Sequence, residues 1–177
     1  IVYENHTRNK ELLKYAQTDA LTGLYNKETT EQLTDELLSE DENKYHAFLI
    51  LDVDCFKQIN DIYGHAVGDI VLQKFGKLLK GTCREGDILG RIGGDEFGVI
   101  MKNIQTKDIA MKKAEELLAK TQAYKIDELK GNNISISIGI STAPQDGDCY
   151  MDLYKRADQA LYQAKRSGKA RVCNYFS

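Results

Sequence analysis

The amino-acid sequence predicts an α/β (α+β) sandwich, with a central mixed, mainly antiparallel five-stranded sheet flanked by helices. Three observations predict it. The run His46-Ala-Phe-Leu-Ile-Leu-Asp-Val-Asp54 is continuously apolar up to its acids, as in a strand buried on both faces. The stretch Arg91-Ile-Gly-Gly-Asp-Glu-Phe-Gly-Val-Ile100 places Gly-Gly-Asp between two short β-type runs and reads as a hairpin, its glycines supplying positive φ. Asn133 to Ser141 alternates apolar and small polar residues, a clear strand signal. Helical patterns lie on both sides of the hairpin, so the order αα β αα ββ α β α β packs helices against a sheet.

Taken in order, Ile1 to Ala16 is polar, with apolar Val2, Leu12, Leu13 and Ala16, and reads as a weakly amphipathic helix arriving from upstream. Residues 1–17 are therefore expected to be a linker helix, the end of an upstream signalling helix, and residues 18–177 the domain. Thr18 to Asn26 is turn-rich, and Asn26 is a plausible N-cap for a helix through about Ser39. After the first strand, Phe56 to Tyr63 reads as a short helix closed by Gly64, and Val67 to Leu79 as a longer one ended by Gly81. Thr106 to Tyr124 is helical, Pro144, Asp146 and Gly147 mark a loop, Met151 to Arg166 is the last helix, and Arg171 to Phe176 a final strand.

Composition narrows the function classes. At 177 residues the chain suits one domain, long enough to bury about two-thirds of its unfolded surface. A net charge of −3 argues against a polyanion, so no nucleic-acid partner is expected and any nucleotide site must be local. Cys55, Cys83, Cys149 and Cys173 are widely spaced, as free thiols of a reducing compartment are, which places the domain in the cytoplasm. No apolar run approaches the ~20 residues of a membrane span, and no signal peptide is visible.

The chemistry-bearing residues are acids at strand ends. Period-2 alternation points Asp52 and Asp54 to one side, and Asp95 and Glu96 sit at the hairpin tip. With the first strand beside the hairpin, both pairs fall at one end of the sheet. Carboxylates gathered there repel one another and have raised pKa values. Mg²⁺ would relieve that repulsion, taking oxygen ligands from carboxylates and phosphates, and metal ions on facing acids can support an in-line phosphoryl displacement. Solvated strand ends are the alternative that spacing leaves open.

These stretches carry a resemblance. Arg91-Ile-Gly-Gly-Asp-Glu-Phe97 resembles the signature of the GGDEF family of bacterial diguanylate cyclases. The block from Asp52 to Asp69, the opening Asp19-Ala-Leu-Thr-Gly-Leu-Tyr-Asn26 and the closing Ala157-Asp-Gln-Ala-Leu-Tyr-Gln-Ala-Lys165 resemble that family's other blocks, in the right order, over roughly residues 18–176. The resemblance implies a fold similar to nucleotidyl cyclases and the polymerase palm. It also implies the condensation of two GTP into cyclic di-GMP and two pyrophosphates, in a homodimer of facing domains, with Mg²⁺ (or Mn²⁺ in its place) as cofactor. An upstream sensory domain in the full-length protein, soluble or membrane-anchored, is implied as well.

Residue by residue, the resemblance assigns Asp52, the Val53 carbonyl, Asp95 and Glu96 to the metal, with Asp95 and Glu96 also catalytic. Gly93 and Gly94 let the backbone approach the nucleotide, Asn60 and Asp69 read guanine, and Lys165, Lys57 and Lys169 meet the phosphates. Lys169 stands where the family commonly has arginine, and lysine keeps the charge without the bidentate fork. Lys27 likewise replaces a common arginine, at a position that reads as structural. Arg84 and Asp87 match an Arg-x-x-Asp site at which cyclic di-GMP inhibits, while the next helix offers Lys112 and Lys113 but no arginine to complete it. Two other readings stay open. One is a catalytically silent module that binds GTP or cyclic di-GMP; the other is a synthase with a different nucleotide choice.

Overall fold

The computed structural model describes residues 16–40 and 44–175. Of the expected linker helix over 1–17, only Ala16 and Gln17 fall within them, and both are helical. The elements are α1 (Lys27–Glu40), β1 (His46–Val53), α2 (Phe56–Tyr63), α3 (His65–Thr82), β2 (Ile88–Arg91), β3 (Glu96–Met101), α4 (Lys107–Ala123), a 3₁₀ turn (Asp127–Leu129), β4 (Ile136–Ala143), α5 (Tyr150–Arg166) and β5 (Val172–Asn174).

The sheet runs β2-β3-β1-β4-β5. Every neighbouring pair is antiparallel except β4 and β5, so the sheet is mixed and mainly antiparallel, as expected from the central hairpin and the helices on both sides of it. Asn26 caps α1 as expected: its Oδ1 accepts the Thr29 N–H at 2.9 Å, satisfying a donor the first helical turn leaves over. Several boundaries shift by one to three residues, among them the strand expected over 133–141, which is Ile136–Ala143. α3 passes through Gly81 and ends at Thr82, because buried Val71, Leu72, Phe75 and Leu79 hold its inner face, and one glycine near the end costs only about 1 kcal/mol.

Strand β1 is buried along its whole length, and its alternation divides the interior. Leu49, Leu51 and Val53 pack with Phe75, Leu79 and Leu117 under α3 and α4. Phe48 and Ile50 pack with Leu37, Leu153, Ala157 and Leu161 under α1 and α5. Phe75 and Phe97 meet edge-to-face with centroids 4.8 Å apart, fixing α3 on the hairpin.

On the other face α5 comes close enough to β4 that Gly139 has no room for a side chain. A Cβ there would meet the Ala157 carbonyl oxygen at 2.1 Å and the Leu161 nitrogen at 2.3 Å, both backbone atoms. Gly139→Ala must lift the helix off the sheet, and is expected to lower the unfolding free energy by about 3 kcal/mol in urea denaturation. A variant as stable as the parent would show that α5 is not held so tightly. Among the described residues no helix is long and apolar enough to cross a membrane.

Candidate functional site

The alternation that divides the core also decides where the acids go. Asp52 follows Phe48 and Ile50 in register, so it faces α5, and it lies directly opposite Glu96 of β3. Lys165, in the last turn of α5, places its Nζ 2.8 Å from Asp52 Oδ2. Burial pushes the Asp52 carboxyl up to about 6 against the Lys165 hydrogen bond and charge, and the charges of Asp95 and Glu96 add to the rise. Glu96 is also raised, first by burial and then by Asp158 and Asp95, with Lys165 opposing. Asp95 sits in the turn, its backbone carbonyl accepting the Val53 N–H at 3.2 Å, so the hairpin tip is tied to the end of β1.

The hairpin turns without the conformation expected of its glycines. Neither Gly93 nor Gly94 has positive φ. Glycine is needed at 93 for space instead: a Cβ would meet Glu96 Oε2 at 2.7 Å, while Gly94 has open surroundings. The turn is shaped by Arg91, whose Nε and Nη2 donate to the Gly94 carbonyl at 3.1 and 2.7 Å. Its Nη1 bridges both Asp19 oxygens, at 3.3 and 3.2 Å. Burial works to raise Asp19, but hydrogen bonds from Thr22 and the Arg91 charge hold its carboxyl below the usual range. Tyr25 also exchanges backbone hydrogen bonds with β2, so the opening block braces the edge of the hairpin.

A second group lies on α2 and α3. Gly64 ends one helix and begins the other with φ 87°, a conformation that favours glycine. Asn60 is half-buried on α2, and Asp69 is exposed in the early part of α3. Gly68 leaves room for the Asn60 amide, because a Cβ there would lie 1.9 Å from Asn60 Oδ1 and 3.2 Å from Phe56 Cζ. Lys57 is exposed in the first turn of α2.

Cations approach the rim from the C-terminal end. Besides Lys165, Lys169 brings its Nζ 3.2 Å from Cys55 Sγ, at the start of α2. Asp54, 7% exposed, accepts from Ser135 Oγ and Ser137 Oγ at 2.7 Å each and from the Ala170 N–H at 3.0 Å.

Arg84 and Asp87 lie before β2. The Arg84 Nε donates to Asp87 Oδ1 at 3.0 Å, and its Nη2 donates to the Lys102 carbonyl. Asp87 is nearly closed off, its side chain 2% exposed, while that of Arg84 is 56% exposed. The aspartate thus orients an arginine that presents its surface outward.

Asp52, Glu96, Asp95 and Lys165 therefore converge on one rim, with Asn60 and Asp69 following it in the next two helices. Arg84 and Asp87 stand apart, at the opposite end of β2 from the hairpin tip. Gly68, Arg91 and Asp19 were not given a part in this arrangement by the sequence, whereas Asp54, expected beside Asp52 among the strand-end acids, is instead taken up by Ser135, Ser137 and the Ala170 N–H. The DALTG and RIGGDEF stretches contain Asp19 and Arg91, but nothing local shows that they pair across 72 positions. The rim fits a hard divalent cation: its donors are oxygens, and two of its carboxyls are held above their ordinary range. Among the described residues the trio whose ligand atoms gather within 4.8 Å is Asp148, Cys149 and Asp152, at the start of α5 rather than here.

The chain is similar to known proteins in both sequence and fold. The family profile described as "Diguanylate cyclase, GGDEF domain" matches residues 16–171. Diguanylate cyclase A of Treponema denticola is 37% identical over 170 residues, covering 93% of this chain and 46% of that protein. The response regulator PleD of Caulobacter vibrioides is 37% identical over 177 residues, covering 96% of this chain and 39% of that protein. The chain thus spans less than half the length of these relatives. Among solved structures, the coiled coil and GGDEF domain of DgcB from Caulobacter crescentus, in complex with c-di-GMP, superposes with a TM-score of 0.89 at 26% identity, covering 98% of this chain and 93% of that one. The isolated GGDEF domain of TpbB (YfiN) from Pseudomonas aeruginosa gives a TM-score of 0.84 at 33% identity, covering 90% and 94%.

Proposed function

The chain belongs to the GGDEF diguanylate cyclase family, and from that premise we propose that residues 18–177 condense two GTP into cyclic di-GMP and two pyrophosphates, with residues 1–17 linking them to an upstream sensory unit. The observation that carries the reading is the cross-strand pair Asp52–Glu96, facing one lysine at the end of the sheet. Mg²⁺ bound there by Asp52, the Val53 carbonyl, Asp95 and Glu96 would supply Lewis-acid stabilisation of the phosphate charge. The chain's own groups do the rest. Asp95 and Glu96, at the hairpin tip, together serve the metal and the removal of the proton from the attacking 3'-hydroxyl, and Lys165, Lys169 and Lys57 neutralise the outer phosphates. Each domain holds one GTP, so a second copy of the chain must face the first.

Guanine is assigned to Asn60 and Asp69. A carboxylate accepts from the N1–H and 2-amino group of guanine, and adenine has no matching donors at those positions, so ATP leaves Asp69 without a partner. Because Gly68 makes room for the Asn60 amide, Gly68→Ala is expected to raise the KM for GTP about tenfold or more through misplacement of that amide, with kcat changed less. Steady-state kinetics checks this, and an unchanged KM would remove Asn60 from base reading.

Arg84, held outward by Asp87, is assigned to binding of the product as inhibitor, at a site separate from the rim. Arg84→Ala is expected to leave the initial rate unchanged and to weaken inhibition by added cyclic di-GMP at least about tenfold, the weight of one charge-assisted contact. Inhibition curves that overlay the parent's would place the inhibitory contact elsewhere.

The function is tested by incubating the chain with GTP, with ATP and with both, in Mg²⁺, and identifying the products by mass spectrometry. Cyclic di-GMP from GTP alone is expected. A mixed product with ATP present would contradict the assignment of Asp69, and GTP binding without product would favour a silent module.

A further inference from the structure

We propose that Asp54 is a positioning residue, the clasp that holds the turn after α5 so that Lys169 is presented to the nucleotide's outer phosphates. This rests on reading the rim as a GTP site. The sequence places Asp54 two residues from Asp52 and invites a direct role, but the structure gives its carboxylate other work. It is 7% exposed, and both oxygens are engaged: Oδ1 accepts from Ser137 Oγ, and Oδ2 from Ser135 Oγ and the Ala170 N–H. The donors come from two segments, the lead-in and start of β4 and the turn before β5, and Asp54 ties them together at the end of β1. Oxygens already met by such donors are poorly placed to take up a cation as well.

The turn it holds is strained. Gly168, Lys169 and Ala170 have φ of 116°, 61° and 49°, and side-chain-bearing residues in that region persist only where the surroundings over-determine them. One end of the turn is anchored on α5, where the Lys169 N–H donates to the Ala164 carbonyl at 3.1 Å and the Gly168 N–H to the Lys165 carbonyl at 3.4 Å. The other end is anchored by the Ala170 N–H on Asp54 and, one residue further, by the Arg171 carbonyl, which accepts the Ile138 N–H at 2.9 Å. Between the anchors the Lys169 ammonium stands 3.2 Å from Cys55 Sγ, on the residue that follows Asp54. Release of the Ala170 contact removes one anchor of a strained turn and so loosens the hold on Lys169 beside the rim.

A phosphate-specific readout separates this role from a general structural one. The affinity of the chain for a slowly reacting α-thio analogue of GTP and for GMP is measured in Mg²⁺ for the parent, Asp54→Ala, Lys169→Ala and the double variant. Asp54→Ala is expected to weaken GTP-analogue binding by on the order of tenfold, the weight of one charge-assisted contact, and to leave GMP binding unchanged, since GMP lacks the outer phosphates. The double variant is expected to bind no more weakly than the worse single variant, because both changes remove the same contact. Should Asp54→Ala not fold, Asp54→Asn replaces it, with a smaller loss in the same direction, because one amide oxygen can still accept from Ala170. Equal losses for the GTP analogue and GMP, or losses that multiply in the double variant, overturn the role while leaving the site assignment standing. A parent chain that binds neither nucleotide overturns both.

Discussion

Exchanging Glu96 for glutamine is expected to lower cyclic di-GMP formation by on the order of 10³-fold or more, with the fold and nucleotide binding largely retained. Glu96 lies directly across from Asp52, and its carboxyl folds back to within 2.7 Å of where a Cβ at Gly93 would be. The carboxylate thus lies over the hairpin turn beside the end of β1, where the two strands bring acids together. Glutamine keeps the shape but not the charge, so divalent-cation binding and the stabilisation it gives to the reacting phosphates are lost together. Rates measured at saturating GTP and Mg²⁺ check this. A loss confined to KM would move Glu96 from the reaction to substrate binding.

Asp52 carries the second large effect, with two readouts of opposite sign. Asp52→Asn is expected to lower turnover by a similar ~10³-fold, because the partner of Glu96 loses its charge. In the absence of divalent cation the same exchange is expected to stabilise the fold at neutral pH. The Asp52 carboxyl lies at about 6 in the folded chain against an ordinary 3.8, chiefly through burial. The folded state therefore binds that proton more tightly than the unfolded one. The destabilisation is fully present above pH 6 and disappears as pH falls from 6 towards 3.8. A neutral amide removes it at pH 7, for a gain of roughly 1–3 kcal/mol in denaturant unfolding, part of the two-unit shift being retained in the lost pairing with Lys165. The same sign governs cation binding. Affinity for Mg²⁺ or Mn²⁺ in the free chain is expected to weaken as pH drops through about 6, because the proton and the cation compete for the same oxygens. A variant less stable than the parent, or cation binding flat from pH 7.5 to 5.5, would contradict this account of the rim.

Much of this was legible in the residues. The unbroken apolar run from His46 announced a strand buried on both faces, and Asp52 near its end announced the rim, because strand alternation is a local property; Asp54, past the end of β1, is taken up by Ser135, Ser137 and Ala170 instead. Asn26 as a cap and the Gly64 junction between α2 and α3 were legible for the same reason. Contacts set by distant segments were not. Lys165 meets Asp52 across 113 positions (165 minus 52) only because α5 packs against β4 at Gly139. The clasp on Asp54 depends on β5 lying parallel to β4, which no periodicity reveals. The hairpin glycines were misread in an instructive way. Positive φ is the usual reason for glycine in a tight turn, but here Arg91 shapes the turn through the Gly94 carbonyl, and Gly93 is small so that Glu96 can fold over it.

The rim is proposed as half of a cyclase site, completed by a second copy of the chain. The most direct test is the rate of cyclic di-GMP formation per chain as chain concentration is varied, at saturating GTP and Mg²⁺, with the product identified by mass spectrometry. The expected result is a specific activity that rises with concentration and levels off where two chains pair. Cyclic di-GMP formed at a constant rate per chain down to concentrations at which sedimentation shows only monomer would contradict it.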